Sequence, residues 1–293
     1  MEDRSGLFNK LVGKISDNIP PLPRTIELLN SLDIEKTTSS EIAKIIEMDQ
    51  AIVSKILKLA NSAYYGVGQR IQTISFAIVC LGFNKIKSLV FTAHSQKTLN
   101  QDLEAYKLTN EKLFEHSIAV AIGARIISEK TGIGKPEDSY TMGLLHDIGK
   151  IILNINAKQE LERVWAVYAK GSNKMFQVEK DVFGFTHADI GEQIAKKWNF
   201  PESLTNAIGY HHEPDRCKTH NPGAYVVYLA NGIAKTLDVG NGIAQEQNVK
   251  LEMDGIFQER ILKEMKLSKE QILEIRTYIL DRIKQIISEI KEQ

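Results

Sequence analysis

Met142-Gly143-Leu144-Leu145-His146-Asp147-Ile148-Gly149-Lys150-Ile151-Ile152-Leu153 sets an imidazole and a carboxyl side by side inside an otherwise apolar run. The run is greasy enough for a buried strand, but its length and its helical surroundings predict a buried helix. An unpartnered Asp in such a place would cost several kcal/mol, the order of the penalty for an uncompensated buried charge. A metal ion, a protonated His or a Lys must offset it. Adjacent residues on a helix point about 100° apart. His146 and Asp147 therefore cannot chelate one ion as an i, i+4 pair would. They can flank a centre whose other ligands come from other helices. That suits a carboxylate bridging two metals, with His on each.

Working outward, helical periodicity dominates. Thr38 to Glu41 is a T-x-x-E capping box before an apolar-periodic run through Ile42, Ile45 and Ile46. After a break at Asp49-Gln50, Ile52, Val53, Ile56, Leu57 and Ala60 continue it. Asn61 to Gly68 reads as a loop. Ile71 to Leu81, Ile86 to Ala93, Leu113 to Ile127, Glu160 to Tyr168 and Ala188 to Trp198 are predicted helical segments. Leu204 to His211 and Ala224 to Leu237 follow, and Asp238 to Asn248, rich in Gly, Asn and Gln, reads as a mobile connector. Ser268 to Gln271 caps a long last helix with Ile272, Ile275, Ile279, Ile283, Ile286 and Ile290 on one stripe. No strand alternation or internal repeat is present. The class is all-α: a multi-helix bundle with an N-terminal helical lobe.

The 293 residues carry 37 Lys+Arg against 37 Asp+Glu, with 43% hydrophobic and 25% charged. That composition supports a large packed core and argues against disorder. Zero net charge gives no bulk attraction for nucleic acid or anionic lipid. Cys80 and Cys217 are too few for a disulfide framework and fit a reducing cytosol. No signal-peptide core follows Met1-Glu2-Asp3-Arg4, and no apolar run nears the roughly 18 to 20 residues of a spanning helix. The expected location is cytoplasmic, with no membrane association.

Five of the seven His fall in one pattern beyond the N-terminal third: His116, His146, His187 and the pair His211-His212. Imidazoles with a carboxylate are the usual ligands for iron, manganese or zinc. Any one of them alone would more simply be a hydrogen-bonded core or surface residue. The case for a metal rests on their company and on the ionisable pair in the apolar run.

Gly143-Leu144-Leu145-His146-Asp147-Ile148-Gly149-Lys150 resembles the signature of the HD superfamily of metal-dependent phosphohydrolases. Glu115-His116-Ser117 resembles its first His motif, and His187-Ala188-Asp189 and Tyr210-His211-His212-Glu213 resemble later motifs of the HD-GYP branch. Ile19-Pro20-Pro21-Leu22-Pro23, Asp49-Gln50-Ala51, Leu59 to Gly66 and Ile71 to Gly82 are similar to the HDOD family. The resemblance covers about residues 15–235, with a helical lobe over about 15–105, a metal-site core over about 106–235 and a helical extension over 236–293. It implies an all-α bundle in bacterial signal transduction, with His116, His146, Asp147, His187, His211 and His212 at metal positions, for a divalent and dinuclear centre. It also implies that Lys150 faces a substrate phosphate. Two departures stand out. Asn231 occupies the place of the superfamily's closing Asp, and no Gly-Tyr-Pro follows His211-His212-Glu213. Lys112, one turn before His116, argues against a third metal.

The reading is a regulatory HDOD module that binds a signalling protein or a nucleotide-type ligand. Its input would arrive in trans, since the length leaves no room for a full receiver or cyclase domain. The rival is a metal-dependent phosphohydrolase acting on a phosphomonoester or a nucleotide phosphodiester, with Asp147 and Lys150 catalytic. A DNA-binding regulator is third. Glu41 to Ala60 mimics a helix-turn-helix, yet Lys55 and Lys58 are more simply solvated lysines on a core helix. Cys217-Lys218-Thr219-His220 has C-x-x-H spacing, but zinc normally wants two such halves and the second is missing, so the spacing is more simply chance. A seven-residue step through Leu273, Leu280 and Ile287 would allow a homodimer, though about three heptads are short for an independent coiled coil.

Overall fold

The computed structural model describes residues 4–291 apart from 34, 63, 110, 170–173, 220, 238–252, 254 and 257. Asp238 to Asn248 and His220 therefore lie outside the described residues, as do the side chains of Ile287 and Ile290. The described residues form helices joined by loops and turns, with no strand among them. The helices in chain order are α1 (Arg4–Gly13), α2 (Ile15–Asn18), α3 (Arg24–Ser31), α4 (Ser39–Glu47), α5 (Gln50–Ala60), α6 (Ile74–Leu81) and α7 (Phe83–Leu99). They continue as α8 (Lys112–Thr131), α9 (Pro136–Leu145), α10 (Gly149–Asn156), α11 (Lys158–Tyr168), α12 (Met175–Phe183) and α13 (His187–Lys197). The series ends with α14 (Glu202–Gly209), α15 (Pro222–Thr236), α16 (Glu259–Met265) and α17 (Lys269–Lys291).

The contacts divide the chain into two units. One holds the residues up to Pro20 with Leu99–Ile279, and the other Pro21–Thr98 with the chain from Leu280 on. In the second unit the capping box forms as the sequence predicts. Glu41 N–H donates to Thr38 Oγ1 at 3.3 Å, and Thr38 N–H donates to Glu41 Oε2 at 2.8 Å. Asp49 caps α5 by accepting from Ala51 N–H. The apolar stripe of α5 turns inward through Ile52, Ile56 and Leu59, and Lys58 stays exposed. Asn61 clamps the following loop: its amide donates to Leu57 O and Ile71 O and accepts from Ile71 N–H.

The first unit is organised around α8, which buries every residue from Leu113 to Ser128. A helix buried on all sides must be enclosed by others, and α9 and α15 pack along it. The crossing with α9 depends on Gly143. A Cβ there would meet Ala121 Cα and Val120 O at 2.8 Å. A second close approach brings α10 onto α13, where a Cβ on Gly149 would overlap the carbonyl of His187.

The stretch expected to be one buried helix is two. α9 ends at Leu145, a turn spans residues 146–148, and α10 starts at Gly149. Backbone bonds tighten to i, i+3 across the turn: Ile148 N to Leu145 O at 3.1 Å and Lys150 N to Asp147 O at 3.0 Å. The hydrophobic pattern continues through the corner because both helices are buried there, so periodicity alone does not register the break. The first unit also contains α12, which is not among the helices predicted from the sequence.

Candidate metal centre

His146 and His211 reach the centre by the same local device. His146 follows directly on the end of α9 and His211 lies two residues past the end of α14, where carbonyls lack intrahelical partners. The Nδ1 of His146 lies 2.7 Å from Gly143 O, and the Nδ1 of His211 lies 2.7 Å from Ile208 O. Each ring therefore uses Nδ1–H to satisfy its own helix and turns a bare Nε2 inward. Both Nε2 atoms are buried and have no hydrogen-bond partner. A fixed tautomer with Nε2 exposed to a shared point is what a metal-ligating imidazole requires.

His187 is the first residue of α13, set by a Thr186–Asp189 capping box. Its Nδ1 donates to Glu179 Oε2 at 2.6 Å, and its backbone N–H donates to the same oxygen at 2.9 Å. The other oxygen of Glu179 accepts from Tyr106 Oη–H at 2.7 Å. His212 stacks on Phe176 at 4.4 Å and brings its Nε2 to 3.0 Å from the Nε2 of His187. His116 comes from the middle of α8. Its Nε2 lies 3.0 Å from Asn231 Oδ1 on α15 and must be the donor, since an amide oxygen only accepts.

All of these meet at Asp147, which is 1% exposed. Its Oδ1 lies 3.0 Å from His187 Nε2 and 3.7 Å from His211 Nε2, yet has no hydrogen bond of acceptable geometry. Its Oδ2 accepts from Lys150 Nζ at 2.6 Å and lies 3.3 Å from His146 Nε2 and 3.8 Å from His116 Nε2. Two donor sets result, each with its atoms within 4.8 Å of one another: Asp147, His187, His211 and His212, and His116, His146 and Asp147. Every residue assigned to the metal from the sequence is thus in one place. Lys150 is there too, on the carboxylate. The fit to a cation is direct. Three buried polar atoms of this cluster are orphans, all aimed at a common interior, in a set of imidazoles and one carboxylate.

The electrostatics agree. Burial pushes the imidazole of His116 down to about 3 and holds His211 and His212 well below the ordinary range, so these rings are neutral. Burial would raise the Asp147 carboxyl, but His146 and the Lys150 ammonium beside it reverse the sign and hold it well below the usual range. Burial would lower His187, but the charges of Glu179 and Asp147 raise it. That attraction for positive charge is available to an ion at Nε2.

Glu179 and Tyr106 are the site residues that sequence reasoning missed. Phe176, Glu179 and Phe183 follow i, i+3, i+7 on the buried stripe of α12. A carboxylate on an apolar stripe was the available signal. A cavity of about 410 Å³ opens beside His212, with Phe8, Phe176 and Phe185 as its apolar wall and Lys180, Glu213 and Arg216 at its polar side. Lys180 and Arg216 both donate to Glu213.

A family model for the HDOD domain matches residues 19–214. An uncharacterized protein of Treponema pallidum is 28% identical over 235 residues, which are 78% of this chain and 45% of that protein. The chain thus spans under half of the length of that relative. Among solved structures, an HDOD domain protein of unknown function from Geobacter sulfurreducens superposes with a TM-score of 0.69 at 22% identity, covering 95% of this chain and 99% of that one. A Marinobacter aquaeolei protein, provisionally assigned to signal transduction, superposes with a TM-score of 0.73 at 18% identity over 97% of this chain and 64% of that one. At these identities the likeness is one of fold.

Proposed function

The chain belongs to the HDOD family, and from that premise we propose that it is a regulatory signalling module that retains a centre for divalent metal. The observation that carries this reading is the carboxylate of Asp147, shared by two sets of inward-facing imidazoles with its Oδ1 unpartnered. A core that had lost its metal would gain by filling or pairing such groups, because orphaned buried polar atoms cost about 1–3 kcal/mol each. In its fuller form the centre is dinuclear, holding iron, manganese or zinc through His116, His146, Asp147, His187, His211 and His212. The module would bind a signalling protein or a nucleotide-type ligand in the cytoplasm, a location that the free thiols of Cys80 and Cys217 fit. Among the described residues no helix is long and apolar enough to cross a membrane. The test is elemental analysis of full-length protein purified without chelators. At least one equivalent of a transition metal is expected in the wild type and none in Asp147→Ala. Wild type that stays metal-free after anaerobic loading with Fe²⁺, Mn²⁺ or Zn²⁺ would refute the reading.

Phosphate-ester hydrolysis is the second reading, favoured by the cavity at His212 and by Lys150. Bound metal would supply a low-pKa water and charge stabilisation at a phosphoryl oxygen. The protein would contribute a water-excluding floor, since Asp147 and the imidazoles around it are buried. Lys150, 16% exposed at its side chain, could turn its ammonium from Asp147 toward developing negative charge. Turnover of bis-p-nitrophenyl phosphate by metal-loaded protein, lost in folded Asp147→Ala, would favour the enzyme. Metal-loaded protein without turnover would favour the module.

A further inference from the structure

The two donor sets are not equivalent. On the Oδ1 side of Asp147 stand three imidazoles, His187, His211 and His212, and an oxygen without a hydrogen bond. His187 is braced from behind by Glu179, which raises its strength as a ligand. The cavity of about 410 Å³ reaches this side at His212. On the Oδ2 side the oxygen already accepts from Lys150 Nζ at 2.6 Å. Of its two imidazoles, His116 spends its Nε2–H on Asn231. Asn231 itself can offer a neutral oxygen but no charge.

We propose that the centre is polarised: an ion binds first and tightly among Asp147, His187, His211 and His212, while Lys150 serves as the resident cation of the other half. This rests on the metal-centre reading above and assigns an order of filling to it. A second ion at His116 and His146 must turn the ammonium away from Asp147 Oδ2, and the ring proton of His116 must move from Nε2 to Nδ1, which breaks the bond to Asn231 Oδ1. It therefore binds weakly. Lys150 and Asn231 are the two residues that make it weak, one by adding a positive charge at Asp147 and the other by withholding a negative one.

Calorimetric titration of chelator-stripped full-length protein with Mn²⁺ alone, checked by elemental analysis after dialysis, tests the order. One equivalent should bind tightly and a second at least ~10-fold more weakly, the scale on which ligand support changes metal affinity. His187→Ala should lose the tight event. His116→Ala should keep it within about threefold. Asn231→Asp and Lys150→Gln should each strengthen the second event without weakening the first. Because His116→Ala opens a hole in the central helix, these two gain-of-binding variants carry the test if it fails to fold. Two equal events in the wild type would overturn the proposal. So would loss of the tight ion in folded His116→Ala with retention in His187→Ala, or a second event unmoved in both Asn231→Asp and Lys150→Gln. Protein that takes up no Mn²⁺ at all would overturn the metal centre itself, and this order with it.

Discussion

Asp147 is tolerated in the core because the Lys150 ammonium sits on its carboxylate and His187, whose pKa is raised, lies 3.0 Å from it, and the residues behind its neighbours are as specific as those in front. Glu179, fully buried, accepts from the side chain and backbone of His187 and from Tyr106. Glu179→Gln keeps the shape and removes the charge, so metal affinity should fall about 10–100-fold while the circular dichroism spectrum is unchanged. Unaltered affinity would show that Glu179 is structural only. His94 gives a pH prediction away from the centre. Burial lowers its pKa below the ordinary 6.5, while Asp49 opposes the shift. The unfolded chain then takes up this proton first, so His94 costs stability as pH falls below about 6.5 and has no effect above it. Acid unfolding of His94→Gln should begin at a lower pH than that of the wild type. The imidazoles and Asp147 were legible in the sequence because an ionisable pair in an apolar run needs partners. Glu179 was not, because the stripe that carries it on α12 is short, and a single carboxylate between Phe176 and Phe183 is a weak signal.

At the scale of elements, the centre is held by helix ends. Two of its imidazoles cap α9 and α14, a third opens α13, and the carboxylate sits in the corner between α9 and α10. That corner was hidden from periodicity, since residues on both sides are buried and the apolar run is unbroken. The signs of helix starts were easier to read, because a capping box is local: Thr38 with Glu41 and Ser268 with Gln271 both form. Thr38→Ala should therefore cost about 1 kcal/mol, read from urea unfolding. Gly149→Ala should cost more, roughly 1–3 kcal/mol or beyond, because its Cβ would be driven into the carbonyl of His187. The same substitution should displace His187 and reduce metal uptake. A variant of wild-type stability would contradict the close approach of α10 and α13.

Across the whole molecule, every proposed ligand belongs to the unit that contains Leu99–Ile279, and Pro21–Thr98 contributes none. The helical class followed from periodicity, and the set of His residues at one centre from the resemblance of their motifs to the HD superfamily. The grouping of the chain from Leu280 on with Pro21–Thr98 depends on long-range contacts that no local pattern encodes. Bound metal should add to stability by mass action, about 2.7 kcal/mol at a hundredfold excess over Kd. Chelation should then lower Tm by roughly 5–10 °C. The most direct measurement is an anomalous difference map from crystals of the full chain, collected on either side of the absorption edge of the metal found by elemental analysis. A peak within bonding distance of Asp147 Oδ1, His187, His211 and His212, stronger than any beside His116 and His146, is the predicted result. No peak among these side chains in metal-loaded crystals would contradict the account.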